Sequence, residues 1–221
     1  MLVGKKIRED YIQKFCPSGK DDIRVSLASI VFGTLKDRGF RAVTLYRTGR
    51  YFRTRGYKML AKLIEKLIHR WCYCEISTTA DIGPGFSIYH PFGLVVGTDV
   101  KAGQNLTLSM NVVLGGNIGK QRTDGGEKPI LGDNVNIAAG SKVVGPINIG
   151  DNCLIGANSV VISDAPSDCI LAGAPARIIR REGRRIGLLE QEGELAKILR
   201  DLEGRIQKLE EQVASHKDTQ S

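Results

Sequence analysis

Through the middle of the chain an aliphatic residue returns at every sixth position. One run is Ile76, Ile82, Ile88, Leu94, Val100, Leu106, Val112 and Ile118; a second is Leu131, Ile137, Val143, Ile149, Ile155 and Val161. Helices repeat at about 3.6 residues and strands at about 2, so neither has this period. A short fixed period held over so many residues marks a stacked repeat. Each hexad then forms one flat side of a parallel β-helix, with its aliphatic residue pointing inward and each coil resting on the next. Supporting positions agree. The fifth place in the hexad is small or medium at Ala80, Thr98, Val135, Ser141, Cys153 and Ser159. Residues that accept left-handed turns fill the corners at Gly85, Asn105, Asn134, Gly140, Asn152 and Asn158.

The pattern predicts a repeat over 76–166, interrupted once. Between Ile118 and Leu131 the register is lost, and residues 119–130 are polar and Gly-rich. A loop leaving a rigid solenoid is commonly functional.

Helical periodicity dominates before the repeat. Residues 1–20 read as a poorly ordered or short helical lead-in. A helix is predicted over 21–37, capped by Asp21 or Asp22, with Ile23, Leu27, Ile30, Val31 and Leu35 as its apolar stripe. After a break at Arg38-Gly39, a second covers about 40–54. A third, about 57–71, carries Leu60, Leu63, Ile64, Leu67, Ile68 and Trp71, with Lys58, Lys62 and Lys66 on another face. At the far end, Leu195, Leu199, Leu202, Ile206, Leu209 and Val213 form a heptad seam. On its own, Ile or Val at a with Leu at d favours two strands. Three parts follow: a helical segment over 1–75, a β-helix over 76–177 with its protruding loop 119–130, and a C-terminal helix over 178–221.

Charge sharpens this division. The 221 residues carry a net charge of +8. Residues 1–75 hold 17 Lys/Arg against 7 Asp/Glu, residues 76–177 are net −2, and the remainder is neutral. The basic helical segment suits a solvated face, and peripheral contact with an anionic membrane is a second use for it. No nucleic-acid-binding motif accompanies the charge. The chain shows no long apolar run and no signal-peptide pattern, and five Cys lack a framework spacing. It therefore reads as cytoplasmic with reduced thiols.

The hexads, the looped-out insertion and the closing Ala172-Gly-Ala-Pro-Ala-Arg177 together resemble the left-handed β-helix, hexapeptide-repeat acyltransferases. The nearest branch is similar to the serine acetyltransferases and to relatives that O-acetylate sugars of bacterial polysaccharides. The resemblance covers about 39–180. His90-Pro-Phe-Gly-Leu-Val-Val-Gly97 and Val113-Leu-Gly-Gly116 look like its active-site coils. It implies a mainly β fold: a left-handed parallel β-helix with N-terminal helices and a C-terminal coiled-coil helix. It also implies acetyl transfer from acetyl-CoA to a hydroxyl, in a homotrimer with sites between subunits and no metal.

A hydroxyl needs a base beside it, and His titrates near neutrality. Of three His, only His90 lies in the repeat, at the family's catalytic position. The family places a carboxylate fifteen residues earlier, which is Glu75 here. Eighteen residues per coil would set Gly93 above Glu75, leaving room for the carboxylate to orient the imidazole. The resemblance assigns Gly116, Ala139 and Ala157 to a pantetheine groove, with Lys142 and Arg177 as cations for the CoA phosphates. Tyr89, Arg122 and Lys128 fall at acceptor-facing positions. Two departures point away from serine. Tyr89 stands where the serine enzymes carry an acid, and Glu127-Lys128 stands where they carry Arg-His. The expected acceptor is therefore a sugar or glycan precursor, with serine as the alternative. A non-catalytic β-helix scaffold is the alternative of another class. A γ-class carbonic anhydrase is excluded, since it needs three zinc-binding His from the repeat.

Overall fold

In this computed structural model the described residues are 3–16, 25–117, 119, 121, 125–185, 198–202 and 204–206. They divide into two units, residues 1–183 and 184–221.

The first unit opens with α1 (Val3–Phe15), α2 (Leu27–Lys36), α3 (Arg38–Thr54) and α4 (Lys58–Cys72). Ser26 caps α2 through Ser29 N–H at 3.1 Å. The expected caps Asp21 and Asp22, with Ile23, lie outside the described residues. Asp37 caps α3 by accepting from Phe40 N–H at 2.7 Å, so Arg38-Gly39 opens a helix and the break falls one residue earlier.

α1 is more than a lead-in. Its Asp10 and Arg47 of α3 are both almost wholly buried and form a bidentate pair at 2.8 and 2.9 Å. Asp10 also accepts from Phe86 N–H at 2.8 Å, while Arg47 donates to the carbonyls of Ile82 and Gly83, each at 2.6 Å. One ion pair thus ties two helices to the first coil, with its lone pairs and protons engaged. Beside it the buried Tyr46 hydroxyl donates to Ala80 O at 2.8 Å.

The β-helix follows. Its first coil is β1 (Glu75–Ile76), β2 (Asp81–Ile82) and β3 (Ser87–Ile88); its second is β4 (Val95–Val96), β5 (Lys101–Ala102) and β6 (Thr107–Leu108). The third is β7 (Val113–Gly115), β8 (Ile130–Leu131) and β9 (Asn136–Ile137); the fourth is β10 (Lys142–Val144), β11 (Asn148–Ile149) and β12 (Leu154–Ile155). β13 (Val160–Val161), β14 (Cys169–Gly173) and β15 (Ala176–Arg181) close the unit. Every third strand pairs in parallel, which gives one sheet of β1-β4-β7-β10-β13, one of β2-β5-β8-β11, and one containing β3-β6-β9-β12. The insertion joins β7 to β8. At one edge Asn105, Asn134 and Asn152, all with positive φ, donate side-chain amide hydrogen bonds up the stack, to Asn134 Oδ1 at 2.8 Å, Asn152 Oδ1 at 2.9 Å and the Asp168 carboxylate at 3.0 Å.

The aliphatic period conceals a phase change. Ile76 pairs with Val96, Ile82 with Ala102 and Ile88 with Leu108, so the first coil is 20 residues long. Later coils return to 18, as between Val95 and Val113 or Ile137 and Ile155, except where the insertion lengthens one to 29, as between Val113 and Lys142. Leu94, Val100, Leu106 and Val112 therefore do not continue the column of Ile76, Ile82 and Ile88. They occupy the second inward position, held in the first coil by Cys74, Ala80 and Phe86. Both positions are buried, so the sixfold spacing survives while the register slips by two. The slip explains why Thr98 is exposed whereas Ala80, Val135, Ser141, Cys153 and Ser159 are buried. It also moves the neighbour of Glu75 from the expected Gly93 to Val95.

The second unit begins with β16 (Arg184–Arg185), and its residues 198–202 and 204–206 are helical. There Leu199, Leu202 and Ile206 are exposed. Leu195, Leu209 and Val213 of the predicted seam lie outside the described residues. Among the described residues, no helix is long and apolar enough to cross a membrane.

Candidate active site

The two extra residues of the first coil fall at the corner between β3 and β4, which carries Tyr89 and His90. His90 is exposed and lies in the left-handed region with φ 54°. Such a conformation is uncommon outside glycine, and His is among the residues that reach it. It turns the side chain out of the coil. The imidazole has no hydrogen-bond partner among the described residues.

The corner is braced from behind. Lys14 of α1 donates to Ile88 O at 2.5 Å and lies 3.8 Å from the centroid of the Tyr89 ring. Burial pulls its pKa down, and Asp37 at 3.8 Å opposes this. Gly39, at the start of α3, lies so close to Ile88 O that an added Cβ would come within 2.1 Å of it. Gly93 N–H donates to Tyr73 O at 3.0 Å, and Tyr73 stacks on Phe92 with ring centroids 5.5 Å apart. The corner thus carries an exposed imidazole without a hydrogen-bond partner among the described residues, and exposed Tyr89 and Phe92 flank it in the chain. Lys14, Asp37 and Gly39 escaped the sequence reading because contacts made between residues far apart in the chain leave no local signature.

Glu75 opens β1. Its Oε1 lies 3.5 Å from Nδ1 of His69 on α4, and both side chains are largely exposed. The described structure therefore gives Glu75 a contact with His69, a residue the sequence reading placed only in a helix. Its N–H donates to Leu94 O at 2.8 Å, which fixes β1 beside the strand that leaves the His90 corner.

The proposed CoA-facing positions follow the coils upward. Ala139 and Ala157 stack 18 residues apart on a corner column whose earlier members are the exposed Phe92 and Met110. The column therefore narrows from large to small side chains. Gly116 lies under the insertion, where an added Cβ would come within 2.5 Å of Lys128 Nζ. Lys128 itself lies 3.8 Å from Glu127. Lys142 turns back to Gly140 O at 2.6 Å, and Arg177 is exposed on β15. Arg122 lies outside the described residues. Among those residues no cluster of His, Cys, Asp and Glu has the makings of a metal site. Burial pushes the thiols of Cys72 and Cys74 up to about 11 and about 12, which removes them as nucleophiles near neutral pH.

The coils and the His-bearing corner define a hexapeptide-repeat transferase, and the comparisons agree. The family model described as bacterial transferase hexapeptide, six repeats, matches residues 128–163. A serine acetyltransferase of Synechococcus elongatus is 36% identical over 178 residues, covering 79% of this chain and 72% of the relative. One from Staphylococcus xylosus is 44% identical over 129 residues, covering 58% of each chain. A serine acetyltransferase solved in complex with CoA superposes with a TM-score of 0.66 at 30% identity, covering 80% of this chain and 69% of that one. The fold is accordingly the left-handed parallel β-helix. The chain belongs to the serine acetyltransferase family.

Proposed function

We propose that this protein is an acetyl-CoA-dependent O-acetyltransferase in which His90 is the general base. The observation that carries this reading is the lengthened β3–β4 corner, which holds a free imidazole outward in a chain of this family. His90 would take the proton of the acceptor hydroxyl as its oxygen attacks the thioester carbonyl. The sulfur of CoA then leaves, and the proton passes on from the imidazolium. Glu75, at the family's carboxylate position, would stabilise that imidazolium. From its contact it can also recruit His69. Gly116, Ala139 and Ala157 would border the pantetheine, with Lys142 and Arg177 nearest the phosphates. The active species would be a homotrimer.

The relatives' names make L-serine the acceptor to test first, ahead of the sugar expected from sequence. Tyr89 beside His90 would suit a sugar ring by stacking, but the Lys14 ammonium already lies over that ring, which weakens this argument for a sugar. The specific observation still favouring a different acceptor is Glu127-Lys128 at the place of the serine enzymes' Arg-His pair. Thiol release from acetyl-CoA should be compared with L-serine and with nucleotide-linked and free sugars. Turnover on serine at least tenfold above every sugar supports the serine reading; turnover confined to a sugar overturns it.

A further inference from the structure

A groove of about 770 Å³ runs between α4 and the outer face of β1 and β4. Its floor is the outward Val95 side chain with the strand edges of Ile76 and Val96, whose own side chains are buried in the coil; Ser77, Gly97 and Thr98 also line it, and Glu75 lies within it. Pockets of about 300–1,000 Å³ hold drug-sized ligands, so free serine would fill a small part of this one.

The helix wall has a charge pattern. Lys62, Lys66 and Arg70 stand four residues apart on one face of α4 and line the groove in a row of about 12 Å. None has an ion pair or hydrogen bond among the described residues. Both acids on the wall are committed elsewhere. Glu65 accepts from Thr78 N–H at 2.7 Å and Thr78 Oγ1 at 2.6 Å, and lies 3.4 Å from Arg53. Glu75 faces His69. Three cations on one wall therefore lack counter-charge, and Val95 on the floor belongs to β4, the strand that leaves the His90 corner.

The geometry points to this groove as the binding site of the acyl acceptor. Its occupant is an anionic hydroxyl compound with an apolar body larger than free serine. The carboxylate or phosphate lies along Lys62, Lys66 and Arg70, the apolar part lies on Val95 and the aliphatic stems of the α4 cations, and the hydroxyl reaches past Glu75 toward the β3–β4 corner. Charge recognition on α4 then takes over what Glu127-Lys128 of the insertion cannot supply to an anion. This inference rests on the acetyltransferase reading and names its acceptor class.

The test compares the full-length protein with the triple variant Lys62→Gln, Lys66→Gln, Arg70→Gln. All three positions are exposed, and circular dichroism and light scattering check fold and assembly. Two anionic probes are used, N-benzoyl-L-serine and UDP-N-acetylglucosamine, each with a neutral counterpart, the methyl ester and N-acetylglucosamine. Binding is measured by calorimetry and turnover by thiol release. The expected result is that one anionic probe binds more tightly than its neutral counterpart and than L-serine. In the variant its Kd and KM should rise about tenfold, with the KM for acetyl-CoA unchanged. Which probe binds tells an amino-acid carboxylate from a nucleotide diphosphate.

Three outcomes overturn the inference: equal binding of anionic and neutral probes, a rise in the KM for acetyl-CoA alone, or a variant that changes assembly and not acceptor affinity. The last would give the groove to a second copy of the chain. Because calorimetry needs no turnover, binding without thiol release would sink the acetyltransferase reading and leave the anion site standing. Turnover that ignores the triple variant would do the reverse.

Discussion

His90 is exposed at the one corner where the first coil carries two more residues than a regular coil. The corner is held by contacts from outside the β-helix. Gly39 is the tightest of these, since Ile88 O occupies the space of its missing Cβ. Gly39→Ala should push Ile88 and the residues after it outward, lowering kcat by about tenfold or more with little change in acetyl-CoA affinity, because a misplacement near 1 Å is costly to a positioned base. Steady-state kinetics alongside calorimetry for CoA will read this, and unchanged kcat would mean the corner tolerates displacement. His90 was legible as the only His in the repeat. The geometry around it was less so. The expected stacking of Gly93 over Glu75 assumed eighteen residues per coil, and the real neighbour is Val95. The error has a physical source: two inward positions per side are both aliphatic here, so a two-residue slip leaves the sixfold pattern intact.

Among the elements, α1 shows how a helix can look dispensable and be structural. Its sequence is polar with a few scattered apolar residues, and Asp10 resembles a surface acid. Its burial depends on Arg47, 37 residues later, and on Ile82, Gly83 and Phe86 beyond that. Asp10→Ala removes one partner and leaves a buried guanidinium uncompensated, which typically costs about 3–5 kcal/mol. The variant should unfold at markedly lower denaturant concentration with an unchanged slope. A loss below about 1 kcal/mol would show that water or another acid replaces the carboxylate. By contrast α3 and the strands were readable in outline, because their apolar spacing matches the faces they bury; α4 was found as a helix, but of its predicted stripe Ile68 is buried while Leu60, Leu63 and Trp71 are exposed. α2 is a partial case: its predicted stripe residues Leu27, Val31 and Leu35 remain exposed in the single chain.

At the level of the whole molecule, the family and the C-terminal seam both concern assembly. Leu199, Leu202 and Ile206 are exposed on helical residues at heptad spacing, and Gly204 between them weakens an isolated helix by about 1 kcal/mol. Such a helix gains its stability from partners. We expect light scattering to give three times the 24.1 kDa chain mass. Deleting 187–221 should lower the thermal midpoint and weaken the trimer while chemistry persists at high protein concentration. A dimer mass for the intact chain would favour the two-stranded preference of its a and d positions. The functional account depends on acetyl transfer at the β3–β4 corner, and one variant tests that most directly. Thiol release from acetyl-CoA by His90→Ala should fall about 10²–10⁴-fold at saturating acceptor, the range for a lost general base, with CoA affinity unchanged. Full turnover by His90→Ala would contradict the account.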